Sequence, residues 1–214
     1  MRSRRLFGAL AFVLLGSLPA LCAGQSFEKL LAATDAGDIR AVGAFLDQGL
    51  DPNTADPNGD TLLMIASRQG HFELVKFLIG RKANVARRSP HGDTALMFAS
   101  LKGHLPVARL LVEYGAQVNQ DGWTPLHYAA FEGGPEMIKF LVGKGADKDR
   151  LAPNGYTPLM LAAMSNQLEA ARALLYEDVD LSLRNPQGQT ALGIAKEKGH
   201  TEMETLLRRA GVVD

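Results

Sequence analysis

Residues 122–134 read GWTPLHYAAFEGG, and four other stretches of the chain follow the same pattern. They are GDTLLMIASRQGH at 59–71, GDTALMFASLKGH at 92–104, GYTPLMLAAMSNQ at 155–167 and GQTALGIAKEKGH at 188–200. Their threonines, Thr61, Thr94, Thr124, Thr157 and Thr190, stand 33, 30, 33 and 33 residues apart. Self-similarity at a fixed period of this size is typical of a stacked repeat protein.

Each stretch predicts a short helix that begins just after its threonine. A threonine side chain can accept a hydrogen bond from a free N–H at a helix start, and Pro125 and Pro158 follow where no intrahelical bond is lost. Leucine and alanine three residues apart lie on one face of such a helix and allow close packing. The pairs are Leu63 with Ala66, Leu96 with Ala99, Leu126 with Ala129, Leu159 with Ala162 and Leu192 with Ala195.

The ends of these helices carry turn signals. Gly70, Gly103, Gly133 and Gly199 permit a left-handed turn, and a second apolar helix follows, as in LPVARLLVEYG at 105–115. DPNG, SPHG, APNG and NPQG precede four of the five threonines and predict projecting β-turns, which we call fingers. The finger before Thr124 is three residues shorter than the others.

The phrase TPLHYA at 124–129 and the 33-residue period resemble the ankyrin repeat. A sixth copy, SFEKLLAATDAGD from Ser26, fits the same frame without the Gly-x-Thr opening. The resemblance implies an all-α repeat solenoid of helix-turn-helix pairs with projecting β-turn fingers, in six units including the two caps. We expect the units at about 26–58, 59–91, 92–121, 122–154, 155–187 and 188–214. Such short helices are marginal alone, so stacking must stabilise them.

The first 24 residues are predicted to be a cleaved secretory signal peptide. MRSRR is basic, LFGALAFVLLGSLPAL is apolar, and CAGQ supplies small residues before a polar start. Gly16, Ser17 and Pro19 interrupt the apolar run, which is shorter than the roughly 20 residues that cross a bilayer, so we expect no stable membrane anchor. We place cleavage between Cys22 and Gln25, leaving 25–214 as the repeat domain. Ordinary Sec export is favoured over the twin-arginine route that SRRLF at 3–7 suggests.

Charge and cysteine content exclude several classes of function. The chain has 23 basic and 23 acidic side chains, so no basic surface indicates nucleic-acid binding. Cleavage removes Arg2, Arg4 and Arg5 and no acid, so the mature chain has 20 basic and 23 acidic groups and a charge of −3. Cys22 is the only cysteine, and its removal leaves no disulfide or cysteine-based metal site within the mature chain.

The histidines do not indicate catalysis. His71, His104 and His200 share one turn position, so adjacent steps of about 8–10 Å are too wide for shared zinc ligation at about 2 Å per bond. His127 matches the signature histidine, which the resemblance implies hydrogen-bonds around the helix start and the adjacent finger. Met64, Met97, Met160 and Gly193 replace it in the other units. With no nucleophile elbow, phosphate loop or dinucleotide fingerprint, we predict no enzyme activity, catalytic residue, metal or cofactor.

The resemblance implies binding of proteins through the fingers and the inner face of the first helices. Two positions of each unit lie there: the residue before the threonine and the residue seven after it. The first series is Asp60, Asp93, Trp123, Tyr156 and Gln189, and the second is Arg68, Leu101, Phe131, Met164 and Glu197. Both are polar at the ends and apolar in the middle.

We therefore predict a partner-binding groove in units three to five. It comprises Leu101, Trp123, Phe131, Tyr156 and Met164, with Arg68 and Glu197 at its ends. Aromatic side chains can bury roughly 150–250 Å² each, and Trp and Tyr are favoured at binding hot spots. The alternative is that these side chains pack on their own neighbours, with Trp123 filling the space left by the shortened finger.

Together these features predict an exported, non-enzymatic scaffold that binds another protein and acts as a monomer. The chain is similar to small periplasmic ankyrin-repeat proteins of bacteria, a similarity that implies a periplasmic location and a partner such as an oxidative-stress enzyme. The alternative is a secreted effector or toxin-neutralising protein that acts outside the producing cell.

Overall fold

The computed structural model describes the backbone of residues 20–211 and the side chains of residues 26–211. Most of the predicted signal peptide lies outside the described residues, and its cleavage stays a prediction. The described part contains the helices α1 (Ala20–Asp35), α2 (Ile39–Asp47), α3 (Leu62–Gln69), α4 (Phe72–Gly80), α5 (Ala95–Leu101), α6 (Leu105–Glu113), α7 (Pro125–Glu132), α8 (Pro135–Gly143), α9 (Pro158–Met164), α10 (Leu168–Tyr176), α11 (Ala191–Lys198) and α12 (Thr201–Arg209).

The helices form six consecutive pairs that stack into a two-layer array. The first helices of the pairs make one layer, in which α3, α5, α7, α9 and α11 each pack on the next. The second helices make the other layer, in which α8 packs on α10 and α10 on α12. This confirms the predicted all-α repeat solenoid.

The threonines begin the first helices as the sequence predicts. The hydroxyl oxygens of Thr61, Thr94, Thr157 and Thr190 accept the backbone N–H of the residue three positions later, at 3.2–3.3 Å. In three of these units a methionine sulfur accepts the threonine N–H in return, as Met64 does from Thr61 at 3.4 Å. The same local geometry therefore starts the first helix of four of the six units.

The leucine and alanine pairs supply the core between units. All ten side chains are buried, and the five alanines are completely inaccessible to solvent. A methyl group at these positions lets neighbouring first helices approach closely, while the leucines fill the space between the two layers. One continuous core thus runs from Leu30 to Leu207.

Four fingers close as β-turns. In the finger before Thr61, the N–H of Gly59 donates to the carbonyl of Asp56 at 2.9 Å, and the N–H of Asp56 donates to the carbonyl of Asp60 at 2.9 Å. The shortened finger has no residues for this second bond. Instead the side-chain amide of Gln120 donates to the carbonyl of Trp123 at 3.1 Å. A side-chain hydrogen bond therefore replaces the backbone hydrogen bond that closes the other fingers.

The first unit has no Gly-x-Thr turn before its helix. Within the described residues α1 covers Ala20–Asp35, which includes Ser26, where the repeat frame predicts the first unit to begin. The predicted cleavage region, residues 22–25, lies inside this helix.

Candidate protein-binding surface

A cavity of about 230 Å³ opens where α5, α7 and α9 adjoin the shortened finger. We call it the central cavity. Its walls are formed by Leu101, Trp123, His127, Tyr128, Phe131, Asn154, Leu161 and Met164. Four of the five residues predicted to form the groove, Leu101, Trp123, Phe131 and Met164, are therefore brought together by the fold.

The shortened finger explains why the cavity lies at this place. Elsewhere a finger tip packs against the proline of the next finger, since a Cβ on Gly59 would lie 2.2 Å from Pro90. The shortened finger has no such proline. The guanidinium of Arg88 donates to the carbonyl of Asp121 at 2.9 Å, and that of Arg150 donates to its carboxylate at 3.0 Å. The short finger is thus held from both sides while the space beside Trp123 stays open.

Aromatic side chains form one wall of the central cavity. The indole of Trp123 meets the ring of His127 edge to face, with centroids 5.6 Å apart, and the ring of Tyr128 at 6.1 Å. Such contacts hold the indole in one orientation. Phe131 is 41% exposed, so a large apolar ring faces solvent at the rim.

Tyr128 links two units across this wall. Its hydroxyl donates to the carboxylate of Asp93 at 2.5 Å. Burial, and then the neighbouring carboxylate of Asp93, raise the pKa of Tyr128 above its ordinary value, so the phenol stays protonated. The carboxylate of Asp93, which precedes Trp123 in the first series, therefore already accepts a hydrogen bond within the chain.

His127 is a structural residue of the cavity floor. Its Nδ1 accepts the N–H of Thr124 at 3.1 Å, so Nε2 carries the proton and donates to the carbonyl of Arg150 at 2.9 Å. The side chain is completely buried, and burial lowers its pKa to about 4 despite the bond to Arg150. Both ring nitrogens are engaged, which leaves none for proton transfer to a ligand. The interactions implied by the resemblance are confirmed.

The other three predicted residues lie elsewhere. Tyr156 is half-buried and packs against the hydrophobic core without lining the cavity. Arg68 forms an ion pair with Asp60 at 2.8 Å, and its guanidinium lies 5.1 Å from the ring centroid of Phe98. Glu197 accepts a hydrogen bond from Gln189. At each end of the groove, the polar residue before the threonine therefore bonds to the polar residue seven after it, within one unit.

Sequence reasoning missed Tyr128, Leu161, His127 and Asn154 as walls of the cavity. Tyr128 and Leu161 stand four residues after their threonines, hence three before Phe131 and Met164. Side chains three apart share a helix face, so this third series was available in the sequence. Asn154 belongs to the next finger, so a count along one helix could not place it at the cavity.

The described structure shows neither a grouped set of metal ligands nor a helix that could cross a membrane. In residues 26–211 no three His, Cys, Asp or Glu side chains are grouped to hold a metal ion. Among the described helices, none combines the length and apolar character that crossing a bilayer requires.

Comparison with known proteins finds repeats over most of the chain. A family model described as "Ankyrin repeats (3 copies)" matches residues 30–121, 81–152, 117–185 and 147–213. Protein phosphatase 1 regulatory subunit 27 of Homo sapiens is 40% identical over 103 residues, which are 46% of this chain and 66% of that protein. Ankyrin repeat, SAM and basic leucine zipper domain-containing protein 1 of Dasypus novemcinctus is 31% identical over 141 residues, covering 63% of this chain and 29% of that protein. The chain therefore spans less than two thirds of each relative's length.

Proposed function

Because the chain belongs to the ankyrin-repeat family, whose arrays are protein-binding scaffolds, we propose that it binds another protein through the central cavity and has no enzymatic activity of its own. The observation that carries this proposal is the gathering of Leu101, Trp123, Phe131 and Met164 around one open apolar cavity. Apolar surface of this kind, placed beside polar neighbours, is typical of an interaction site.

Two polar side chains of the cavity wall are already bonded within the chain. Tyr128 donates to Asp93, and both ring nitrogens of His127 are engaged. The cavity therefore offers a partner mainly apolar surface. Burial of such surface stabilises a complex by about 25 cal/mol for each Å² removed from water. A partner side chain with a large apolar body fits this chemistry best.

The named relative supports a binding role. The human protein is a regulatory subunit, and a regulatory subunit acts through another protein. We take from this only the general role, because the matched region covers 46% of this chain. The partner's identity is to be found by capture.

The proposal extends to location. The signal-like start of the chain supports export. We propose that the exported protein is a periplasmic monomer and that its partner there is one such as an oxidative-stress enzyme. Fractionation of the producing cell distinguishes this from the alternative of a secreted effector or toxin-neutralising protein. Mature protein retained in the periplasm supports the first, and mature protein in the medium supports the second.

Replacing Phe131 with serine, alone and together with Trp123→Ser, should weaken partner capture by about tenfold or more, because hot-spot aromatics contribute at least about 2 kcal/mol. Phe131 is 41% exposed, so the single variant should keep the melting temperature nearly unchanged. The measurement is pull-down from the producing cell together with thermal unfolding of each variant.

Tyr176→Ser is the matched control, since Tyr176 is 86% exposed and lies at the end of α10, outside the cavity. The Tyr176→Ser variant should capture as much partner as the unaltered protein does. Equal capture by the Phe131 and Trp123 variants, with large destabilisation, would show instead that the aromatic residues serve only their own neighbours.

A further inference from the structure

Three histidines join neighbouring units in the same way. The Nε2 atoms of His71, His104 and His200 lie 2.7, 3.1 and 3.2 Å from backbone carbonyls of the preceding unit. Those carbonyls belong to Asp35, Arg68 and Met164 respectively. The first two rings also cover a turn glycine, because a Cβ on Gly37 or Gly70 would lie 2.8 or 2.6 Å from the ring.

The junction between units four and five keeps a side chain at this place. Gln167 occupies the histidine position there, and its Oε1 would lie 2.3 Å from a Cβ on Gly133. The junction between units three and four does not, because residue 134 is glycine. A Cβ on Gly103, the covered position, would meet nothing within 4 Å.

The backbone at this junction is the same as at the others. Gly134 has φ −83° and ψ 85°, close to the −76° and 70° of His104. The carbonyl of Leu101, which corresponds to those of Asp35, Arg68 and Met164, accepts no hydrogen bond within the described structure. A cavity of about 220 Å³ remains, lined by Leu101, Lys102, Gly103, Glu132 and Gly134 among others. We call it the notch.

We propose that the notch receives a histidine side chain of the bound partner, which lies over Gly103 and donates an N–H to the carbonyl of Leu101. The chain's own histidines define this fit at the neighbouring junctions. Lys102 and Glu132 also line the notch and place one charge of each sign beside it.

The notch adjoins the central cavity, since Leu101 belongs to the walls of both. The inference therefore rests on the proposed function and adds to it one feature of the partner's sequence. We expect the partner segment that places an apolar side chain in the central cavity to carry a histidine close enough to enter the notch.

The probe is a displayed library of random linear peptides, selected on the unaltered protein. Peptides that depend on Phe131 should be enriched in a histidine near a large apolar residue. Gly134→His, which supplies the missing ring from the protein itself, should weaken their binding by about tenfold, the equivalent of one lost hydrogen bond and its contacts. It should also raise the melting temperature of the free protein.

Gly134→Ala is the matched control. Its Cβ would lie 3.4 Å from that of Met137, an ordinary contact, and it leaves the notch open, so peptide binding should persist. Peptides that depend on Phe131 but lack histidine, or bind Gly134→His unchanged, overturn the histidine site and leave the proposed function intact. A selection that yields no peptide dependent on Phe131 counts against both.

Discussion

Replacing Leu126 with alanine should lower the free energy of unfolding by about 2–5 kcal/mol, the range for truncating a buried leucine. Leu126 is completely buried on α7, which packs on both α5 and α9. In an array whose stability is a sum of units and their interfaces, a cavity at this place weakens two interfaces at once. The measurement is urea unfolding followed by circular dichroism.

Leu151→Ala supplies the control, because Leu151 is 48% exposed on a finger. It should change the free energy of unfolding by no more than about 0.5 kcal/mol. Equal effects of the two substitutions would contradict a core that runs through α7.

Replacing His127 with methionine should reduce the loss of unfolding free energy between pH 7 and pH 4 by about 3 kcal/mol. Burial lowers the pKa of His127 to about 4 in the folded chain, against 6.5 in the unfolded chain. Between those pH values the unfolded chain binds a proton that the folded chain does not. The contribution to stability is therefore complete above pH 6.5 and is lost as the pH falls to 4. Unfolding in urea at pH 7 and at pH 4 measures it.

Methionine is the chosen replacement because Met64, Met97 and Met160 occupy the equivalent position. The two proteins share every other titratable group, so the difference between their pH dependences isolates His127. The same loss of stability between pH 7 and pH 4 in both proteins would show that His127 is not buried in its neutral form.

The fold was predictable because the same local signals recur in five of the six units. A threonine cap, a buried leucine and alanine, and a turn glycine act within a few residues of one another, so the sequence displays them directly. The first unit was less predictable on this basis, since it lacks the threonine and the turn that mark the others.

The candidate site was only partly predictable. Counting from the threonines placed Leu101, Trp123, Phe131 and Met164 on one surface, because that position depends on the repeat alone. Tyr156 packs against the core, while the polar ends pair internally, as Arg68 does with Asp60. Such outcomes depend on side-chain orientation and on contacts between positions eight residues apart, which no single helix turn reveals.

The shortened finger connects these observations. By omitting three residues the chain loses a proline that would cover its neighbour, uses Gln120 in place of a backbone bond, and leaves Trp123 beside an open cavity. The glycine at 134 opens the notch at the same junction. Units three and four are thus where the array departs most from its own pattern.

The most direct test of the central cavity is photo-crosslinking in the producing cell from position 123, with position 176 as the control. The cavity predicts one protein partner crosslinked from position 123, absent from position 176, and lost when Phe131 is changed to serine. Identical crosslinks from both positions, or crosslinks from position 123 that persist without Phe131, would contradict binding at the central cavity.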